Sequence, residues 1–452
     1  MHTSWRLQWA LAVVLCVALL MAPALWNGFP LLQYDTGGYL APWFDHQLHI
    51  SRSVPYGLLL VAGRAPDFWP VVLVQSAVTV WVLALTLRVH RLGSPVLLVA
   101  FTSTLCALST LPWLSAILLT DIFGGLGVLA LYLLLLRDEA LGSIERIGLF
   151  ALVAFAAATH SATLAVLMLL TAAAAIARLV FLTRIMPGRL AGIVGALLVA
   201  TGTVFVGDDF VAGKIAWTPG GPALSFGRML QDGIVKKYLD DHCPDPTLKL
   251  CAYRNNLPKD ADDFFWGGGI FDRLGRFAEL DGEMRRIAFN AVADYPWLQL
   301  RSMTSESAKQ LVEVDTGAGV VNWIWNTYAT IKTFTPAAVP AMNAARQQRT
   351  GLSFAAINAL QVPVALLSLL LLPFAAFYTW QKKGFTDLAA LNATAVLAVL
   401  GNAAVFGTFA TAHNRYGARM AWVPVLVLLI TFARLALQRR GGLPGAKPEA
   451  TV

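Results

Sequence analysis

The chain has 452 residues, of which 57% are hydrophobic and 13% charged, with mean hydropathy +0.63 and a formal net charge of +8. Soluble domains carry roughly 25% charged residues, so the composition excludes a soluble enzyme and selects an integral membrane protein. Nor does the positive charge point to nucleic acid: residues 207–352 hold 17 acidic and 16 basic side chains, and the excess lies in the rest of the chain.

Ten apolar stretches are predicted to span the bilayer, at 7–26, 68–87, 95–111, 116–136, 147–159, 161–183, 190–206, 353–378, 387–409 and 419–437. Most approach the ~20 residues that a helix needs to cross; those at 95–111 and 147–159 are short. None alternates as a barrel strand would, and a spanning segment must satisfy its own backbone. The expected fold class is therefore an all-α polytopic membrane protein with about ten transmembrane helices and one large extracytoplasmic loop domain. Residues 1–206 read as a seven-span module with an outer loop at 27–67. Residues 207–352 read as the loop domain, 353–440 as three further helices, and 441–452 as a short cytosolic tail.

Orientation follows from the basic residues. With the N-terminus in the cytosol, the connections at 88–91, 137–146, 184–189, 382–383 and 439–440 each carry at least two Lys or Arg, as the positive-inside rule requires. The expected location is a bacterial inner (plasma) membrane, with both termini cytosolic and the active face periplasmic. The triplet Ala22-Pro23-Ala24 resembles a cleavage site only faintly, and the length of the first span favours its retention.

Between the spans, 39–48 is predicted as a short amphipathic surface helix anchored by Trp43 and Phe44, broken by Ser53-Val54-Pro55-Tyr56-Gly57 ahead of Arg64. Residues 207–282, rich in Gly, Pro and Asp, read as loop with short helices. Residues 283–314 read as two helices bent at Tyr295-Pro296-Trp297. Trp217, Phe264, Phe265 and Trp266 suit either a core or sugar stacking, with core favoured. Cys16 and Cys106 fall in apolar spans and read as small core residues. Cys243 and Cys251 lie eight apart in the loop domain, where an oxidising compartment would pair them as a disulfide; a zinc site would need two more ligands.

Ionisable residues at membrane depth are expensive and mark function by default. Asp35 follows span 1 in Tyr34-Asp35-Thr36-Gly37-Gly38-Tyr39. Asp121 opens span 4 in Leu118-Leu119-Thr120-Asp121. His160 separates spans 5 and 6, and Arg415 precedes span 10 in Ala412-His413-Asn414-Arg415-Tyr416. All four are predicted on one side of the membrane, where two carboxylates, a histidine and an arginine suit a lipid phosphate with a base beside it. Plainer readings stand beside these: a turn residue at Asp35, a helix cap at Asp121, a loop residue at His160, and boundary residues at Arg415 and Arg419. The aspartate pairs 208–209, 240–241 and 262–263 fit solvated loop better than metal ligation. No metal ligand is assigned and no cofactor is required, although a divalent cation is compatible.

This arrangement resembles the GT-C superfamily of polyprenyl-phosphate-sugar-dependent glycosyltransferases, in particular the protein mannosyltransferase and aminoarabinose transferase branch. Asp35 and Tyr39 match its D-x-x-x-Y pattern in the first outer loop, and Asp121 its acidic residue opening span 4. Arg415-Tyr416 entering a span that contains Pro424 matches a third feature, and Ala291 through Tyr295-Pro296 to Leu300 a fourth. In the family a second carboxylate often follows the first; here Thr36 and Gly37 follow Asp35. The resemblance implies inverting hexosyl or pentosyl transfer from a polyprenyl-phosphate sugar to a glycan, lipid or protein acceptor, in contact with membrane lipids. It implies Asp35 as general base and Asp121 as its catalytic partner. Tyr39, Arg64, His160, His413, Arg415 and Tyr416 would then bind substrate. A transporter or flippase, or a polymerase or ligase of lipid-linked saccharides, is the alternative.

Overall fold

The computed structural model describes residues 2–181, 185–216, 220–382 and 386–439. The expected tail 441–452 and Trp217 lie outside them. Among the described residues the chain is helical throughout, and its single β-bridge joins Leu31 to Ile117.

The first section comprises α1 (His2–Asn27), the short α2 (Thr36–Leu40) and α3 (Pro42–Asp45), α4 (Val54–Ala62), α5 (Trp69–Val89), α6 (Pro95–Leu108), α7 (Leu111–Ala116), α8 (Ile122–Leu136), α9 (Ser143–Thr159), α10 (Ser161–Phe181) and α11 (Pro187–Ala212). Then come α12 (Gly221–Gln231), α13 (Ile234–His242), α14 (Ala261–Trp266), α15 (Ile270–Arg273), α16 (Arg276–Asp294) and α17 (Pro296–Gln310). Three short helices follow, α18 (Trp325–Phe334), α19 (Val339–Ala344) and α20 (Arg346–Arg349), and the chain closes with α21 (Ala355–Gln381), α22 (Thr386–Phe409) and α23 (Asn414–Arg439).

Among the described residues seven helices are long and apolar enough to cross a membrane: α1, α5, α10, α11, α21, α22 and α23. The other three predicted spans are shorter helices of 14, 15 and 17 residues, α6, α8 and α9. The stretch predicted at 116–136 begins late because 117–121 is pulled out of helical geometry. What remains, α8, is buried from Ile122 to Leu135. A helix wrapped in protein does not need to match lipid thickness. Gly125 lets it meet Trp422 of α23, which is fully buried; a Cβ there would lie 2.5 Å from the indole.

Two expectations in the first loop are corrected. The predicted surface helix 39–48 is instead two short helices, α2 and α3, ending at His46 in the left-handed region. The expected break at 53–57 is the start of α4. Pro55 sits in its first turn, where the missing N–H costs nothing, and Gly57 is helical because Tyr39 O packs where a Cβ would stand. The bend at Tyr295-Pro296 separates α16 from α17, as the spacing predicts.

A second core, built on Phe226, Phe264, Phe265, Phe271 and Leu280, holds α12–α16 together. Phe264 and Phe265 are therefore core. Trp266 is 61% exposed, with Arg276 over its ring. Cys243 and Cys251 are joined by a disulfide. The face of the bundle that carries this unit is the loop face. At the other end, His90 meets Tyr132 Oη at 3.0 Å and Arg434 pairs with Asp387 at 3.0 Å, tying α5, α8, α22 and α23 together.

On the loop face α2 packs on α18. Gly37 N–H donates to Thr327 Oγ1 at 3.0 Å, and a Cβ on Gly37 would lie 2.6 Å from Thr327 Cα. Backbone cannot yield as a flexible side chain can. Gly37→Ala is therefore expected to destabilise by about 1–3 kcal/mol, read as a lowered thermal midpoint in detergent; an unchanged midpoint would contradict the close approach.

Candidate functional site

Backbone pairing brings the two carboxylates of the site together. Leu31 N–H donates to Ala116 O at 3.0 Å, and Leu118 N–H donates to Leu31 O at 2.9 Å. Thr36 Oγ1 donates to Leu118 O at 3.0 Å. Residues 31–36 thus run beside 116–121, so Asp35 and Asp121 reach the same point from segments far apart in sequence. Buried amides hold both strips. Gln75 donates to Ser115 O and Ile117 O, and Gln347 exchanges bonds with both backbone groups of Leu32. The third strip is the start of α23, gripped by α17: the Gln310 amide donates to His413 O and accepts from His413 N–H, each at 3.0 Å. Arg415 projects from this turn.

The result is a linear chain of four charges. Arg415 Nε donates to Asp121 Oδ2 at 2.7 Å, Arg415 Nη1 donates to Asp35 Oδ2, and Arg52 Nη2 donates to Asp35 Oδ1. Side-chain exposure rises along it, from 1% at Asp121 through 11% at Arg415 and 15% at Asp35 to 22% at Arg52. The Asp121 end is closed to solvent and the Arg52 end meets it. Tyr39 lies beneath, fully buried, with Arg52 over its ring and its hydroxyl 3.4 Å from Thr120 Oγ1.

One positive charge is in excess. Arg419, four residues after Arg415 and fully buried, donates Nη2 to Thr163 Oγ1 but leaves Nε and Nη1 unpartnered. Three guanidiniums therefore face two carboxylates in low dielectric, which favours an anionic ligand.

Burial opposes ionisation of Asp35, but the Arg52 and Arg415 charges outweigh it and hold the carboxyl below its usual range. Burial pushes the Tyr39 phenol up, so it stays protonated. Burial, reinforced by the charges of Arg419, Arg415 and Arg52, keeps His160 well below the usual imidazole value. Its Nδ1 accepts from Ala162 N–H at 3.1 Å. The neutral ring therefore carries its proton on Nε2 and acts as a hydrogen-bond donor, not a cation.

A cleft lies beside each of the two arginines that hold Asp35. The first is lined by Trp113, Ile117, Asp121, Asp315, Phe354 and Arg415. The second, between the first loop and the ends of α9, α10 and α11, is lined by Ser51, Arg52, Ser53, His160, Thr201 and Asp208.

Of the residues predicted for the site, Asp35, Asp121, Tyr39 and Arg415 meet directly, and His160 lines the second cleft. Tyr416 borders them, with its ring stacked on Phe406 at 3.9 Å and Arg415 5.8 Å from its centroid. His413 caps the junction with α17 and bonds Thr411 Oγ1 at 2.7 Å. The plain reading of Asp121 as a helix cap fails: it sits at the N-cap of α8 but makes no side-chain capping bond. The expectation for Arg64 is corrected: it is exposed and joins none of these contacts, and Arg52 is the loop arginine that reaches Asp35. The positive-inside trend marks any arginine predicted on that face, Arg64 no less than Arg52, so it does not choose between them. Asp208 was visible only as half of an aspartate pair.

No group of three or more metal-ligating side chains occurs among the described residues. Asp260-Ala261-Asp262 and Glu279-Leu280-Asp281 have the spacing of metal motifs, but Asp260 caps α14 and Glu279 pairs with Lys249 at 2.9 Å. Asp240 and Asp241 pair with Lys236 and Lys237.

Comparison with family models, curated proteins and solved structures returns no match to this chain.

The low position of the Asp35 carboxyl sets a pH dependence. Its folded value lies below the unfolded one, about 3.9. Its contribution to stability is therefore complete above the unfolded value and is lost as pH falls through the folded one. In Arg52→Ala one of the two cations is gone, and acid unfolding followed by tryptophan fluorescence is expected to begin at higher pH than in wild type. An unshifted acid limb would show that Arg52 does not hold Asp35.

Proposed function

We propose that the protein is a membrane glycosyltransferase of GT-C type. It transfers a hexose or pentose from a polyprenyl-phosphate donor to a hydroxyl of a glycan, lipid or protein acceptor in the cell envelope. The observation that carries this reading is the position of Asp35, a part-exposed carboxylate held between two arginines that each line a cleft at the ends of membrane helices. The excess positive charge suits a phosphate, and the setting among apolar helices suits a lipid tail. On this reading the loop face is extracytoplasmic and both termini are cytosolic, in a bacterial inner membrane.

The chemistry is a single displacement. The acceptor oxygen attacks the anomeric carbon and its proton passes to Asp35. The bond from the anomeric carbon to the phosphate oxygen breaks, and its electron pair leaves with the phosphate. The configuration inverts. The lipid phosphate gains one negative charge as it departs, which Arg52 and Arg415 stabilise through charge-assisted hydrogen bonds. A carboxylate held by two guanidiniums is a weak base. Drawing those guanidiniums onto the donor phosphate would raise Asp35 towards a useful basicity only when donor is present. Asp121 keeps Arg415 in place throughout.

The test is turnover of polyprenyl-monophosphate and polyprenyl-diphosphate sugars by the purified chain with a membrane-extract acceptor. Consumption of the monophosphate donor with inversion supports the reading. Use of the diphosphate alone would make the protein a polymerase or ligase. Passage of lipid-linked sugar across a vesicle bilayer without any transfer would make it a transporter.

A further inference from the structure

The second cleft holds two buried polar atoms that the fold leaves unpartnered. Asp208 stands near the loop-face end of α11, 1% exposed, and its Oδ2 has no hydrogen-bond partner. Ser51 Oγ, in the same cleft, is also buried without a partner. A buried carboxylate oxygen left unpaired costs more than a lost hydrogen bond. A fold that retains one beside a cleft has a use for the acceptor.

The surroundings define what fits. Arg52 supplies a cation on one side, and neutral His160 can donate from Nε2. Ala157, Ala158, Leu164 and Val204 give an apolar wall. Beyond Val204, α11 turns Val206 and Phe210 outwards, 69% and 76% exposed, as a lipid-facing surface. The cleft thus combines an anion site, an acceptor for hydroxyl protons and an apolar margin along a membrane helix.

We infer that this cleft seats the phosphate and first sugar of a lipid-linked glycosyl phosphate, with Arg52 on the phosphate and Asp208 Oδ2 accepting a hydrogen bond from a sugar hydroxyl. Asp208 is thereby the residue that distinguishes a sugar-bearing lipid phosphate from a bare one. The inference rests on the transferase reading and adds to it the side of Asp35 from which the donor is presented. The acceptor then enters by the first cleft, past Trp113 and Phe354.

The test measures binding of farnesyl phosphate and of its mannosyl, glucosyl and arabinosyl esters to the purified full chain in detergent, by thermophoresis. Wild type is expected to bind at least one ester about tenfold or more tighter than farnesyl phosphate, the scale of one hydrogen bond to a charged group. Asp208→Ala, which removes the acceptor, should bind farnesyl phosphate at least as tightly as wild type and lose the preference. Arg52→Ala should weaken all four. Val204→Phe, which fills the cleft without touching a charge, should weaken the esters and provides a second reading if Asp208→Ala does not fold. Retention of the preference in Asp208→Ala, absence of any preference in wild type, or full ester binding by Val204→Phe would each overturn the inference. Wild type binding none of the four would instead overturn the transferase reading on which it depends.

Discussion

Asp35→Asn is expected to lower sugar transfer by about 10²- to 10⁴-fold, the scale of a lost general base, while the protein accumulates to wild-type levels. Asparagine keeps the shape of the side chain and can still accept from Arg52 or Arg415. Arg415 also retains Asp121, so the chain of charges loses one link without collapsing. In membranes carrying the variant, a polyprenyl-phosphate sugar should build up as it does in membranes lacking the protein. Transfer at the wild-type rate would make the carboxylate structural and remove the proposed mechanism. Binding of the donor by Asp35→Asn should persist, because the arginines on either side remain and one competing anion is gone.

The largest loss of stability is expected at Arg415. Removing its guanidinium leaves Asp121, 1% exposed, without its ion-pair partner and with only the unbonded charge of Arg419 acting on it; about 3–5 kcal/mol is the characteristic penalty for breaking a buried pair. Arg52 sits at the other end of the chain, 22% exposed, and its pair with Asp35 is discounted by solvent to about 1 kcal/mol or less. Arg415→Ala should therefore lower the thermal midpoint much further than Arg52→Ala. The double variant Arg415→Ala/Asp121→Ala should recover part of that loss, since the orphaned carboxylate is removed with its partner. Strict additivity of the two single effects, measured by unfolding in the same detergent, would contradict the pairing.

Part of this site is legible in the chain because polar residues inside apolar sequence are rare. Asp35, Asp121, His160 and Arg415 each interrupt or bound a hydrophobic stretch, and counting spans puts all four on one side of the membrane. Their neighbours are less visible. Arg52 lies in a loop already rich in polar groups, so nothing in its local context sets it apart from Arg64. Only the pairing of 31–36 with 116–121 decides which arginine reaches the carboxylate. Asp208 is hidden for a different reason. Next to Asp209 it resembles a solvated pair, whereas α11 continues to Ala212 and turns Asp208 inwards against the first loop. Pro55 and Gly57 misled in the opposite direction. Proline and glycine commonly mark turns, but here the first opens a helix and the second admits a neighbouring carbonyl.

The sequence by itself determined that the chain is an integral membrane protein of apolar helices, and which ionisable residues stand at their ends. Those properties depend on composition and on the length of apolar runs, which lipid reads locally. Tertiary structure alone decided that Asp35 is shared by Arg52 and Arg415, that Asp121 supports Arg415 and caps nothing, and that a cleft lies beside each of those arginines. Contacts of that kind join residues separated by 17 to 380 positions. Their geometry is set by buried amides and close glycine packing that no local pattern records.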